Sequence, residues 1–218
     1  MSTQVGAATG KFQNTSAAPV ANVPITLAGW VKVIGITDPS VRPVVQLLGG
    51  TLSQLRIDIS HSAATIRARA YTQTNAGTQG IAASAGTLSL NTWYHLAATF
   101  PGIAERNIFV NGANDGTNTD SRTVADMEDF AIGDTNTSSD FKMADVAVWD
   151  VELTDEEIAR LALGYSARFV RPDSLTAYGP LVHGAAWADP YGLFPTMSAS
   201  GTPAAGNDHP PILGAIAV

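Results

Sequence analysis

Apolar and polar residues alternate with a period of two along much of this chain. From Thr65 to Tyr71, Ile66, Ala68 and Ala70 fall on one side and Arg67, Arg69 and Tyr71 on the other. Leu55-Arg56-Ile57-Asp58-Ile59 repeats the pattern. Successive side chains of a strand point to opposite faces, so such alternation predicts strands with one buried and one solvated face. Trp93 to Phe100 divides the same way, with Tyr94, Leu96, Ala98 and Phe100 on one face and Trp93, His95, Ala97 and Thr99 on the other. The β-branched run Ile25 to Ile34, centred on Trp30, predicts a further strand, as do Pro43 to Leu48, Asn107 to Val110, Asp129 to Gly133, Met143 to Trp149 and Leu175 to Val182. Asn111-Gly112 follows one of these and is a strong hairpin signal, because both residues accept positive φ. Clusters of Gly, Asn, Asp and Ser separate the strands at sandwich-like spacing.

One segment breaks the period. Thr154 to Leu163 predicts a helix: Thr154 and Glu157 form a capping box, Asp155 and Glu156 place negative charge in the first turn, and Ile158, Leu161 and Ala162 make an apolar stripe. Gly164 is placed to cap its end. The pattern as a whole predicts an all-β, two-sheet antiparallel sandwich with this one short helix at 154–163.

Composition narrows the picture. The 218 residues suit one large all-β domain, and 45% of them are hydrophobic. Only 14% are charged, against the usual ~25%, so neutral polar groups or partners must cover the surface. The net charge is −7 and the basic residues are scattered, which speaks against nucleic acid and against an anionic membrane surface. There is no cysteine, so disulfides and thiolate chemistry are excluded, and synthesis in the cytosol is favoured. The opening residues show no signal-peptide pattern, and no apolar run is long enough to span a bilayer.

Three segments carry a resemblance. Asn91-Thr92-Trp93-Tyr94-His95-Leu96-Ala97-Ala98-Thr99-Phe100 is followed by Ile108-Phe109-Val110-Asn111-Gly112. Phe130-Ala131-Ile132-Gly133 then leads through Met143-Ala144-Asp145-Val146-Ala147-Val148-Trp149 to Leu153-Thr154-Asp155-Glu156-Glu157-Ile158. In this order they resemble the strands, hairpin and closing helix of the concanavalin A-like, laminin-G-like family, which implies that the sandwich is a jelly roll. Phe141-Lys142-Met143 departs from that pattern by lacking the glycine that usually follows the Phe. The strand that normally opens the family has its nearest match late in this chain, at Leu175-Thr176-Ala177-Tyr178-Gly179-Pro180-Leu181-Val182, which reads as a circular permutation or as the remnant of a second module. Gly201-Thr202-Pro203 and Asp208-His209-Pro210-Pro211-Ile212 resemble the ends of laminin-G-like proteins of tailed bacteriophages. By this reading residues 1–24 form an extended N-terminal arm, 25–182 the sandwich, and 183–218 a Gly/Pro/Ala-rich segment packing on the sandwich or on a neighbour.

Hydrolases on this sandwich carry E-x-D-x-x-E, because glycoside cleavage needs an acid and a nucleophile about 5 Å apart. The glutamates here are Glu105, Glu128, Glu152, Glu156 and Glu157, and none makes that pattern, so no catalytic residues are expected. His61, His95, His183 and His209 form no metal-binding spacing, and His95 is expected to be a satisfied structural histidine. The resemblance implies calcium as the remaining cofactor. Asp134 and Asp140 flank one loop and Asp115 and Asp120 share another, but ordinary turn chemistry accounts for all four and is preferred, so no resident metal is expected. For binding, Trp187, Tyr191, Phe194, His209, Pro210 and Pro211 are the candidates, with Asn114 and Asn118 on a separate loop. Trp187 and Tyr191 suit a glycan, but anchoring the last segment to its own sandwich or to a neighbouring subunit is the preferred reading. Two functions are therefore expected. One is a non-enzymatic structural subunit of a phage virion, a head-decoration (cement) or fibre-like protein made in the host cytoplasm, with a major capsid protein and its own copies as partners. The other is a carbohydrate-binding, lectin-like module that touches host glycans.

Overall fold

The structure is a computed structural model describing residues 2–6, 11–15, 17–124, 126–133, 139–181, 197–200, 204–206 and 208–211. Among the described residues, fifteen strands form two sheets, and every pairing is antiparallel. In chain order they are β1 (Ser2–Gly6), β2 (Lys11–Asn14), β3 (Ile25–Ile36), β4 (Ser40–Gly49), β5 (Ser53–Ser62), β6 (Thr65–Gln73), β7 (Gln79–Ala83), β8 (Trp93–Gly102), β9 (Glu105–Val110), β10 (Ala113–Asn118), β11 (Met127–Ile132), β12 (Ser139–Trp149), β13 (Leu175–Gly179), β14 (Ser198–Ser200) and β15 (Ala204–Gly206). Sheet A runs β10-β9-β8-β3-β12-β1-β15, with β13 also on β12; sheet B runs β14-β2-β11-β4-β5-β6-β7.

The apolar halves of the alternating strands meet in one core. Leu27, Leu96, Ala98, Phe100, Ile108 and Phe141 of sheet A share a buried cluster with Leu47, Leu55, Ile57, Ile59, Phe130 and Ile132 of sheet B. Shielding this much apolar surface from water is the main term holding the sheets together. Trp149 is wholly buried, and its Nε1 donates to the Val170 carbonyl at 2.9 Å. Thr26, also buried, donates to the Val151 carbonyl at 2.8 Å and accepts from the Leu153 amide at 3.0 Å, tying β3 to the chain that enters the helix.

That helix, α1 (Asp155–Ala162), begins as the capping box predicts: the Glu157 amide donates to Thr154 Oγ1, and the Thr154 amide donates to Glu157 Oε2 at 2.8 Å. Ile158 and Leu161 face inward. Gly164, at φ 92°, donates to the Leu161 carbonyl and ends it. Among the described residues no helix is long and apolar enough to cross a membrane.

The sandwich draws on more of the chain than the 25–182 expected. Residues 2–6 and 11–14, read from sequence as arm, pair within the chain's own sheets as β1 on β12 and β2 on β11. The described parts of the last segment do the same, as β14 on β2 and β15 on β1. Residues 113–118, expected in a loop, form β10 because the Asn111-Gly112 turn folds them back onto β9. β13 and β1 share one side of β12 end to end: Gly179 lies opposite Val146 and Thr3 opposite Met143. This is the geometry of one long strand divided between two regions of the chain. Where the family's glycine is missing after Phe141, β12 carries register shifts against β3 at Asp140/Phe141 and Ala144/Ala147.

Candidate functional site

The outward halves of β5 and β6 carry a charged network. Asp58 stands opposite Arg69, and Arg56 opposite Tyr71. Arg69 grips Asp58 with a two-pronged fork, Nε to Oδ1 at 2.6 Å and Nη2 to Oδ2 at 2.9 Å. Arg56 Nε adds a third bond to Oδ2 at 2.9 Å. The Asp58 side chain is 0% exposed, while the guanidinium side chains above it are 15% and 14% exposed. A carboxylate on the outward side of a sheet is thus sealed by two cations, leaving an excess of one positive charge.

The network extends through neutral groups. The Arg56 guanidinium lies 3.9 Å from the Tyr71 ring centroid, within cation–π range, and Arg69 lies at 5.8 Å. Arg56 Nη1 donates to Gln54, the Tyr71 hydroxyl donates to Gln73, and Gln54 Nε2 reaches Gln73 at 3.4 Å. Burial raises the Tyr71 pKa, so the phenol stays a donor. Gln46 of β4 stands opposite Arg56. The network engages Nε and Nη1 of Arg56 and Nε and Nη2 of Arg69, which leaves Nη2 and Nη1 of the two side chains outside it. Held on two strands, these donors form a rigid platform suited to acceptors on a polar or anionic ligand.

The outward side of sheet A differs. Trp30 stands opposite His95, Lys32 opposite Trp93, and Lys142 opposite Lys32. Trp30 and His95 meet edge-on with ring centroids 5.5 Å apart. His95 is fully buried, and loss of hydration lowers its pKa to about 3, so the ring is neutral. Sequence reading expects a satisfied histidine; its Nδ1 is instead buried with no hydrogen-bond partner among the described residues, as are Nε1 of Trp30 and of Trp93. Asp208 bridges the two lysines, with Oδ2 2.7 Å from Lys32 Nζ and Oδ1 2.6 Å from Lys142 Nζ. Hydrogen bonds from Lys142 and Lys32 hold its pKa down at about 2.

Of the expected binding residues, His209, Pro210 and Pro211 follow this bridge: Pro210 is buried, while His209 and Pro211 are exposed. Trp187, Tyr191 and Phe194 lie outside the described residues, as does Asp134. Asp140 is the second residue of β12 and pairs with Gly6 and Gly35. Asp115 accepts from the Gly86 amide at 3.1 Å, and Asp120 accepts from Asn118 Nδ2 and lies 3.4 Å from Arg122 Nη2. Among the described residues no group of three or more His, Cys, Asp or Glu side chains converges on one point as metal ligands do. Asn114 and Asn118, expected beside a glycan, turn to the Gly116 and Asp120 amides of their own chain. The Arg56–Asp58–Arg69–Tyr71 network was not singled out from sequence. Its one signal is the pair of alternating runs Arg56-Ile57-Asp58 and Arg67-Ala68-Arg69-Ala70-Tyr71, which the β5–β6 register brings side by side.

Solved structures share this architecture. A heptameric SAP-like pentraxin from Limulus polyphemus superposes with a TM-score of 0.59 at 14% identity, covering 74% of this chain and 81% of that one. The botulinum neurotoxin serotype D binding domain superposes with a TM-score of 0.56 at 12% identity, covering 73% of this chain and 42% of that one, so the present chain spans less than half its length. At these identities the likeness is one of fold. A search of curated protein sequences finds no match. The sequence model of Laminin_G_3 matches residues 7–159, well over half the chain, and this protein therefore belongs to the concanavalin A-like lectin/glucanases superfamily.

Proposed function

We propose that this protein is a non-catalytic recognition module that binds glycans through the Arg56–Asp58–Arg69–Tyr71 face of sheet B. One observation carries the reading: a carboxylate with no exposure, on an outward sheet face, fixes two guanidiniums in place. As a device for orienting donors this group fits neighbouring hydroxyls or a carboxylate on a sugar, which accept hydrogen bonds from planar N–H groups. The strand-borne glutamines supply both donors and acceptors beside it. One solved structure that shares the fold is the botulinum neurotoxin serotype D binding domain. Glycan-array screening followed by affinity electrophoresis tests this. Arg56→Ala and Arg69→Ala should each weaken the best glycan roughly tenfold or more, the equivalent of about 1.4 kcal/mol. Absence of any glycan ligand, or unchanged binding by both variants with the sandwich intact by circular dichroism, overturns it.

A second reading rests on the end of the chain. We propose as its setting the surface of a tailed-phage virion, where the protein serves as a head-decoration or fibre-like subunit contacting a major capsid protein. Its support is the phage-like run Asp208-His209-Pro210-Pro211-Ile212, whose first residue is pinned by two lysines on sheet A. Co-sedimentation with assembled capsids, with light scattering of the free protein, tests it. A protein that stays monomeric and does not sediment with capsids removes this reading and leaves the glycan reading standing.

A further inference from the structure

The outward side of sheet B is set apart by its charge. The Asp, Glu, Lys and Arg residues of β5, β6 and β7 are Arg56, Asp58, Arg67 and Arg69. Three positive charges thus meet one negative charge here, in a chain whose net charge is −7. All four point outward, since the residues that alternate with them, Ile57, Ile59, Ala68 and Ala70, belong to the core. These strands hold one large aromatic residue, Tyr71. It is 3% exposed, and the Arg56 guanidinium lies over its ring at 3.9 Å. A neutral sugar that binds by laying its C–H face on an open aromatic ring finds no such ring on these strands.

Arg67 adds a second cationic seat. It stands opposite Ser60, one outward step along the strands from the Asp58–Arg69 pair. Its Nη1 donates to the Ser84 carbonyl and, at 2.7 Å, to the Ala85 carbonyl. Those two residues are themselves fixed. The Ser84 amide donates to the Ala68 carbonyl at 2.8 Å, and the Ala85 amide donates to the Asp115 carbonyl at 2.8 Å, which closes β7 against β10. Gly116 of β10 lies so close that an added Cβ would sit 2.2 Å from the Ala83 oxygen. Arg67 is therefore anchored through one nitrogen, with Nε and Nη2 outside these bonds. Among the described residues no carboxylate pairs with it, whereas Asp58 serves both other arginines. Same-face neighbours on a strand stand about 7 Å apart, so the two seats have room for two anionic groups at once.

We infer that the ligand of this face is an acidic polysaccharide, with one anionic group on the remaining N–H groups of Arg56 and Arg69 and a second on Arg67. The inference rests on the glycan reading above and narrows it. A carboxylate or a sulfate accepts the charge-assisted N–H bonds that guanidiniums offer, and such bonds are stronger than those to neutral hydroxyls.

Affinity electrophoresis in gels containing polygalacturonate, its carboxyl-reduced form, dextran sulfate or dextran tests this. At least one charged polymer should bind roughly tenfold or more tightly than its uncharged counterpart, and which one does so identifies carboxylate or sulfate. Arg67→Gln leaves Asp58 and its two arginines untouched, and should weaken that binding about threefold or more with an unchanged circular dichroism spectrum. Equal binding within both pairs of polymers, or binding that Arg67→Gln leaves unchanged, overturns the inference. If no polymer retards the protein, a glycan array decides. An acidic glycan as the best ligand supports the inference. A neutral one whose binding is lost in Arg56→Ala overturns it and leaves the glycan reading standing, and an array with no ligand overturns both.

Discussion

Asp58 shows how one side chain organises a surface. Its two oxygens accept three charge-assisted bonds from Arg56 and Arg69, and water does not reach it. Removing one partner of a buried pair costs about 3–5 kcal/mol, because the remaining charges stay desolvated. The guanidiniums here retain partial access to water, so Asp58→Ala should lower stability by about 2–3 kcal/mol, read as a reduced urea midpoint. The same substitution should abolish glycan binding even where folding persists, since both arginines lose their orientation. A variant with an unchanged midpoint would show that the network is a loose surface pairing. The residues were legible in sequence as the outward half of two alternating runs. Their convergence was not, because it depends on the β5–β6 register. That register is set by a turn at Ala63-Ala64, whose positive φ values of 50° and 59° no Gly or Asn announces.

The secondary-structure elements divide by what holds them. β5 and β6 alternate buried and partly exposed positions, whereas β3, β8 and β9 carry longer buried runs, and both patterns are visible in sequence. β1, β7, β10, β14 and β15 are short and rich in Gly, Ala, Ser, Asn and Gln, so they are held mainly by ladder hydrogen bonds to a neighbour, which leave no hydrophobic period to read. The helix was legible because its cap is local chemistry. Thr154→Ala should cost about 1 kcal/mol in global stability, measured by denaturant unfolding, with the Glu157–Arg171 pair at 2.9 Å adding little. Gly116 is the sharper case. An alanine Cβ there would lie 2.2 Å from backbone that cannot rotate away. Gly116→Ala should therefore pry β10 from β7, seen as faster hydrogen exchange at Ala85, whereas Gly102→Ala, with open space around it, should leave that amide protected. Equal exchange in the two variants would mean the β7–β10 edge is not closed as described.

Three buried or bridged groups give the domain a pH profile that no single residue explains. His95 has a folded pKa near 3 against a usual 6.5, so its contribution is fully present above 6.5 and is lost as pH falls toward 3. Asp145 behaves oppositely. It sits at the β12 register shift with φ 52°, hydrogen-bonded by the Tyr178 hydroxyl at 2.6 Å and by the Ala167 amide. Burial outweighs these bonds and raises its pKa to about 6, so its contribution is present below the usual carboxylate value and is lost as pH rises through 6. Asp208, held down at about 2 by its lysines, adds stability above the usual carboxylate value and loses it as pH falls toward 2. At about 1.4 kcal/mol per pKa unit, the His95 and Asp145 slopes are equal and opposite between about pH 6 and pH 4. Stability should be nearly flat across that interval and then fall steeply below pH 4, where His95 and Asp208 act together. Replacing His95 with Phe removes one slope and keeps the ring packed against Trp30. The variant, though less stable at neutral pH, should gain about 3 kcal/mol on acidification from pH 6 to pH 4, as Asp145 alone takes up its proton. Urea unfolding of both proteins across this range measures the difference. A variant as flat as the parent would mean that the Asp145 carboxylate stays ionised behind Tyr178 and that the parent's plateau has another origin.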